Sequence, residues 1–484
     1  MRGAARRVER DIAARARYLV MRMTAPPEHR DTIFALATAP GVSAVAVLRV
    51  SGPRARAAMR ALSRRDDDPA PRVATRRTLR APADGAAFDD ALVLWFPAPR
   101  SFTGEDVAEF HLHGGRATCR AALSALAAMD GLRLARPGEF ARRAFDNDRL
   151  DLSQVEALAD LIEAETAGQA RQAMRQLESG LGTRCEDWRR RLLEARAHAE
   201  AEIDFPEEDL PAGLAAALAP RLVALEAEIA ACLDDGRRGE RLRDGFSVAV
   251  LGPPNAGKSS IINYLSGAEA AIVAAVPGTT RDVLEVDLDL GGWPVTLADT
   301  AGLRALGGSV DPGQAEVERE GMRRARRRAD TADLRLVVLP ADAAAAALSD
   351  PECAPLLDRS AILAWNRVDL VPGAQLPPHP AGGEALAISA LTGAGMDRLA
   401  AAIEARAAAA LGGQAREPAI ITRARHREAL EAARRGIARA REAGAPELLA
   451  EELRAAGEAL GRITGRSGVE DMLDVLFSSF CIGK

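Results

Sequence analysis

Gly252-Pro253-Pro254-Asn255-Ala256-Gly257-Lys258-Ser259 follows the apolar run Ser247–Leu251 and precedes a segment with Ile261, Ile262 and Leu265 at helical spacing. The octapeptide fits GxxxxGK[ST] in the strand–loop–helix setting that gives the pattern its meaning. Glycines let successive backbone N–H groups wrap an anion, and the N-terminus of the following helix adds positive potential. Lys258 is placed to reach the β- and γ-phosphates of a nucleotide, and Ser259 to ligate Mg2+.

Around this loop, short apolar runs alternate with helical segments: Ser247–Leu251, Val295–Ala298, Leu334–Leu339, Ile362–Trp365 and Ala385–Ile388. The alternation predicts a doubly wound parallel sheet over 245–411, with ligands at the C-terminal ends of its strands. Several of those ends carry polar motifs. Asp299-Thr300-Ala301-Gly302 supplies an acid near Mg2+ and a glycine N–H for the γ-phosphate. Asn366-Arg367-Val368-Asp369 resembles the guanine-reading NKxD, whose aspartate accepts from the two N–H groups that only guanine presents. Ser389-Ala390 resembles the final base-side loop. Four motifs in order read as a GTPase, with ATP as the alternative nucleotide. Arg367 is a departure, since lysine is usual there. Leu303 is another feature, because Ras-like proteins carry a water-orienting glutamine after DTAG. An aliphatic side chain cannot orient water, so catalysis needs another group. In Gly278-Thr279-Thr280-Arg281-Asp282 one hydroxyl of the threonine pair can reach Mg2+.

The remainder of the 484 residues is organised around this insertion. Residues 31–147 mix short apolar runs with Gly/Pro punctuation: Ala44–Val50 and Ala91–Phe96 read as strands, Cys119–Met129 as a helix. This is one α+β domain. From 148 to 244 the chain is rich in Ala, Leu, Glu and Arg. Ser153-Gln-Val-Glu156 reads as a capping box, followed at helical spacing from Leu152 by Val155, Leu158 and Ile162. The same texture returns over 412–484, where Leu449, Leu453, Ala456, Leu460 and Ile463 step by helical turns. The two stretches are expected to form one helical domain interrupted by the other. Residues 1–30 are Arg- and Ala-rich and read as a disordered extension, with Met23 as the expected start; Glu9 and Asp11 argue against a transit peptide.

Net charge is −5, so any RNA contact is local or shared with a partner. No run of about 18 apolar residues reads as a membrane span. The five cysteines are scattered without a CxxC pair, as in a reducing compartment without a zinc cage. Of the 64 basic residues only Lys258 and Lys484 are lysines, a bias that reads as genomic G and C richness. Lysine survives at two positions only. His111 and His113 alternate on one face of an expected strand, and a metal site would need more ligands than these.

PNAGKSS (254–260), PGTTRD (277–282), DTAGLR (299–304), SFTGEDVAEF (101–110), RPGEF (136–140) and FSSFCIGK (477–484) together resemble the MnmE (TrmE) tRNA modification GTPases over residues 31–484. The resemblance implies an N-terminal folate-binding domain, a helical domain interrupted by the G domain, and a homodimer. It implies a cytoplasmic protein working with an FAD-containing partner of the MnmG (GidA) type. Together the two install an aminomethyl or carboxymethylaminomethyl group on carbon 5 of the wobble uridine of certain tRNAs.

Matched positions acquire roles from the family. GTP contacts fall on Asn255, Ala256, Gly257, Lys258, Ser259 and Ser260 and on Ala274, Ala275, Val276, Pro277, Gly278, Thr279 and Thr280. They continue through Asp299, Thr300, Ala301 and Gly302 to Asn366, Arg367, Asp369, Ser389 and Ala390. Mg2+ is held by Ser259 and Thr280. K+ is held by Asn255, Ala274, Val276 and Thr279, where a cation neutralises developing phosphate charge as an arginine finger would. Glu318 matches the acid that orients the attacking water. Arg49, Glu109, Arg149 and Lys484 match folate-binding positions for a tetrahydrofolate in its 5-formyl or methylene form. Cations suit its glutamyl carboxylates and a carboxylate its pterin edge. Cys481 is a candidate for chemistry beside that site. Two rival readings remain at this level: a stand-alone regulatory or ribosome-assembly GTPase, and a folate enzyme similar to aminomethyltransferases.

Overall fold

The computed structural model describes residues 31–178, 180–204, 214–235, 237–267, 285–299, 331–351, 353–412 and 419–468, and beyond them 473, 476–478, 480 and 483. The described residues fall into two compact units. The first lies within Met1–Ala159, Leu177–Ile229 and Glu428–Lys484, the second within Asp160–Gln176 and Ala230–Arg427.

In the first unit a six-stranded sheet is built from β1 (Thr32–Leu36), β2 (Val45–Ser51), β3 (Thr75–Arg80), β4 (Ala87–Phe96), β5 (Val107–His113) and β6 (Leu132–Leu134). Their order is β3-β4-β5-β2-β1-β6, with all neighbours antiparallel except β1 and β6. Successive side chains alternate between faces. Leu48, Val50, Val93, Trp95, Phe110 and Leu112 point to one core with Met59 and Leu62 of helix Ala55–Ser63 and Leu126 of helix Arg116–Ala127. The opposite face carries Arg49, Glu109 and His111 beside a smaller apolar cluster of Ile33, Ala35, Ala135 and Phe140. β4 starts four residues before the expected Ala91, because Ala87–Asp90 pair with β3 through backbone bonds that need no apolar side chain.

Long helices complete this unit. Gly180–Asp204 packs against Pro446–Thr464, whose Leu449, Leu453, Ala456, Leu460 and Ile463 are all buried, as their spacing predicts. The capping box of helix Leu152–Glu163 is displaced from the expected Ser153 and Glu156. Asp151 Oδ1 accepts from Gln154 N–H at 2.9 Å, and Gln154 Oε1 accepts from Asp151 N–H at 3.0 Å. The reciprocal pair defines the cap two residues earlier, and Ser153 merely donates to Asp151. Ile162 also departs from the expected apolar stripe, being 40% exposed.

The second unit holds the other sheet: β7 (Phe246–Leu251), β8 (Glu285–Leu290), β9 (Trp293–Asp299), β10 (Leu334–Pro340), β11 (Ile362–Asn366) and β12 (Glu384–Ala387). Its order is β12-β11-β10-β7-β9-β8, with β7 and β9 to β12 parallel and β8 antiparallel to β9. The doubly wound sheet is thus present but mixed at one edge. Gly291 and Gly292, both at positive φ, form the two-residue turn that reverses the chain. Among the described residues no helix is long and apolar enough to cross a membrane.

Candidate functional site

The loop after β7 turns on Gly252, Asn255 and Gly257, all at positive φ. A Cβ on Gly252 would stand 2.1 Å from the Val338 carbonyl oxygen of β10, and one on Gly257 2.2 Å from Asn366 Nδ2. Neither position tolerates a side chain. Lys258 begins helix Lys258–Gly267 and is only 5% exposed; its ammonium donates to the carbonyls of Gly252 and Pro253, both at 2.8 Å. Ser259 and Ser260 lie exposed on the same first turn.

Asn366, at the end of β11, joins this loop to the base-side loop. Its Nδ2 donates to the Ala256 carbonyl at 2.8 Å and its Oδ1 accepts from Ala390 N–H at 3.1 Å. Arg367, itself at positive φ, donates from its guanidinium to the Asn255 carbonyl. The arginine therefore still grips the phosphate loop. Asp369 is exposed on the short turn Val368–Leu370, and Ser389 is buried with its Oγ accepting from Thr392 N–H at 3.2 Å. Parallel strands thus bring the expected residues from 252–260, 366–369 and 389–390 to one sheet edge. A glycine loop closed around a buried ammonium and tied to the strand end carrying Asn366 and Asp369 fits GTP with Mg2+. Asp299 ends β9. Ala274, Ala275, Val276, Pro277, Gly278, Thr279, Thr280, Thr300, Ala301, Gly302, Leu303, Glu318, Cys481 and Lys484 lie outside the described residues.

A second polar site stands on the other face of the first sheet, half covered by Phe102 and Phe140. Arg49 on β2 and Glu109 on β5 are cross-strand partners, and Arg49 Nε donates to Glu109 Oε1 at 2.8 Å. The guanidinium carbon lies 5.3 Å from the ring centre of Phe102 and 5.6 Å from that of Phe140. Such stacking fixes the plane of the cation while leaving its edge able to donate. His111 Nε2 is 3.8 Å from Glu109 Oε2, and His113 Nδ1 is 2.6 Å from Asp89 Oδ1. Among the described residues no cluster of three or more His, Cys, Asp or Glu could hold a metal. Arg149 is exposed, with its side-chain carbons beside Gly104 of the Ser101–Glu105 loop. Gly483 comes against Leu36 and Ala37 at the end of β1, where an added Cβ would lie 2.0 Å from the Leu36 carbonyl.

The sequence singles out the motifs that hold this arrangement together but not that they meet. Gly138 has φ 65°, and a Cβ there would meet the Phe477 carbonyl at 2.5 Å. Arg142 stacks on the Phe477 ring, and Phe477 and Phe480 pack with Ala141, Leu152 and Val155. Arg143 is fully buried among Asp31, Glu105 and Glu139. RPGEF, SFTGED and the terminal FSSF are thus packed together. For Arg143 the i, i+4 spacing from Glu139 is a signal, and it does not reveal burial.

Residues 32–149 match the family described as "GTP-binding protein TrmE N-terminus", and residues 152–481 that described as "MnmE helical domain". The protein named tRNA modification GTPase MnmE from Parvibaculum lavamentivorans is 55% identical over 462 residues, covering 94% of this chain and 100% of that one. Its namesake from Rhodospirillum rubrum is 50% identical over 466 residues, covering 94% and 99%. The human mitochondrial protein named 5-taurinomethyluridine-[tRNA] synthase subunit GTPB3 is 45% identical over 476 residues, covering 95% and 94%. With both of its halves matched and whole-length relatives this similar, the chain belongs to the MnmE (TrmE) family of tRNA modification GTPases.

Proposed function

We propose that this GTPase is K+-stimulated and, with an FAD-dependent partner of the MnmG type, modifies carbon 5 of the wobble uridine of certain tRNAs. The one-carbon unit comes from a tetrahydrofolate held by Arg49, Glu109, Arg149 and Lys484. GTP hydrolysis drives conformational change, since phosphate chemistry adds nothing to a uracil ring. In this reading the protein is a cytoplasmic homodimer with a folate domain (31–147), a helical domain (148–244 and 412–484) and a GTPase domain (245–411). Thr280 joins Ser259 on Mg2+, Glu318 orients the attacking water, and K+ sits on Asn255, Ala274, Val276 and Thr279.

The supporting observation is the convergence at Arg49. Its guanidinium lies within 5.6 Å of the ring centres of both Phe102 and Phe140, from two separate motifs, while Gly483 of the tail comes beside β1. A cation fixed against aromatic rings beside a carboxylate suits a planar pterin with an acidic tail. A stand-alone switch has no use for such a site. The name of the human relative specifies a 5-substituted tRNA uridine. Mass spectrometry of wobble nucleosides tests the reading. A strain lacking this gene is expected to lose the 5-aminomethyl-type nucleosides, and an unchanged nucleoside profile overturns it.

The K+ assignment is tested separately. Turnover is expected to be far higher in K+ than in Na+ at matched ionic strength, and equal rates would sink it. Glu318→Ala is expected to lower kcat by about 10²–10⁴-fold with GTP affinity preserved. An equal fall in affinity would remove Glu318 from the water-orienting role.

A further inference from the structure

The loop Ser101–Glu105 carries Phe102 over Arg49 and has no regular secondary structure of its own. It is fastened by its polar side chains. Glu105 takes two hydrogen bonds from Arg143 Nη1, at 3.0 and 3.2 Å, and one from Ser51 Oγ at 2.6 Å. Ser51 Oγ is also 2.7 Å from Thr103 Oγ1, and Thr103 Oγ1 accepts from Glu105 N–H at 3.3 Å. From the side, Asn147 Nδ2 donates to the Thr103 carbonyl at 2.7 Å. Ser51, Thr103 and Arg143 are completely buried. Ser51 lies two residues beyond Arg49 on the same face of β2, so the fastening stands directly beside the cation.

Arg143 also reaches Asp31 Oδ1 at 2.8 Å and Glu139 Oε1 at 3.1 Å, yet its Nε has no partner among the described residues. A buried ionic cluster with an unsatisfied donor contributes little net stability compared with apolar packing of the same volume. What it supplies is direction. One guanidinium ties the loop that carries Phe102 to the helix that carries Phe140, the two rings that hold Arg49.

We propose that Arg143 and Glu105 are positioning residues for the folate site: they hold Phe102 and Phe140 at the separation that fixes Arg49. The proposal rests on the folate reading of that site. Neither residue touches the ligand; both act through the rings.

The test uses the full-length chain with Glu105→Gln and the near-isosteric Thr103→Val, so that a folding defect in one does not decide the matter. Asp67→Asn serves as the control, because Asp67 pairs with Arg77, another buried arginine of the same domain, whose side-chain hydrogen bonds run to Asp67 and not to the loop. Binding of 5-formyltetrahydrofolate by equilibrium dialysis is expected to weaken about tenfold in Glu105→Gln, the scale of a lost hydrogen bond to a charged group, and about fivefold in Thr103→Val, which loses neutral hydrogen bonds to Ser51 and to the Glu105 N–H. Hydrogen exchange of the 102–105 amides is expected to quicken, with GTP turnover unchanged. Asp67→Asn should alter neither folate affinity nor loop exchange.

Unchanged affinity and exchange in both loop variants overturns the proposal. So does an equal loss of affinity in Asp67→Asn, which would mean that general destabilisation explains it. If the wild-type chain binds no folate, the folate reading fails. The exchange of residues 102–105 then still decides whether the cluster fixes the loop.

Discussion

At single positions, chemistry constrains the chain more tightly than composition does. Every basic residue except Lys258 and Lys484 is arginine. Lys258 has a visible reason: its ammonium is enclosed by the loop and donates to two carbonyls at 2.8 Å. A planar guanidinium is too broad for that enclosure. At Arg367 the opposite holds, because the longer planar group at the loop's rim still reaches the Asn255 carbonyl. Lys258→Arg is therefore expected to abolish nucleotide binding. Lys484→Arg should lower wobble modification and leave GTP hydrolysis nearly intact, if its ammonium is confined beside the folate. Normal wobble nucleosides in a strain carrying only Lys484→Arg would show that this lysine survived by chance.

Elements derive their meaning from what docks on them. Helix Glu139–Asp146 follows Gly138, the residue that lets Phe477 approach, and its first residue, Glu139, is bonded by Arg133, the Arg136 N–H and Arg143. Burial pushes the Glu139 carboxyl up, but those three donors outweigh it and hold the group below its ordinary value. Asp31 is affected alike, its burial outweighed by Arg133 and Arg143. A depressed folded-state value means that the ionised form favours the folded chain. The contribution is present above about pH 4.5 and is lost as pH falls through the folded-state value. Thermal unfolding from about pH 7 to 3 is expected to show a steep acid limb that Glu139→Gln flattens. Parallel acid limbs in the two proteins would remove this cluster from the cause.

Across the first unit, the two ends of the described chain meet. The tail residues Phe477 and Phe480 pack on the helices at 139–146 and 152–163, and Gly483 lies against β1. The terminal motif is thus part of the N-terminal domain's packing, some 340 positions from the Gly138 it touches. Hydrophobic burial is indifferent to sequence distance, and loop closure grows only logarithmically with length. A chain interrupted by a whole GTPase unit can therefore still close on itself.

The sequence alone determined the phosphate loop, the Asn366–Asp369 motif at a strand end, and the helical stripe from Leu449 to Ile463. These are local facts: a φ that only glycine accepts freely, a motif at fixed spacing, a period of one helical turn. Even here neighbours moved the details, shifting the cap to Asp151 and adding the antiparallel β8 through the Gly291-Gly292 turn. Only the tertiary structure decided that Arg49 stands against both Phe102 and Phe140, and that a fully buried Arg143 joins the elements carrying those rings. No periodicity encodes such a meeting. Burial of a charge depends on partners brought from distant segments, and an isolated arginine in a sequence looks the same whether it ends in solvent or in the core.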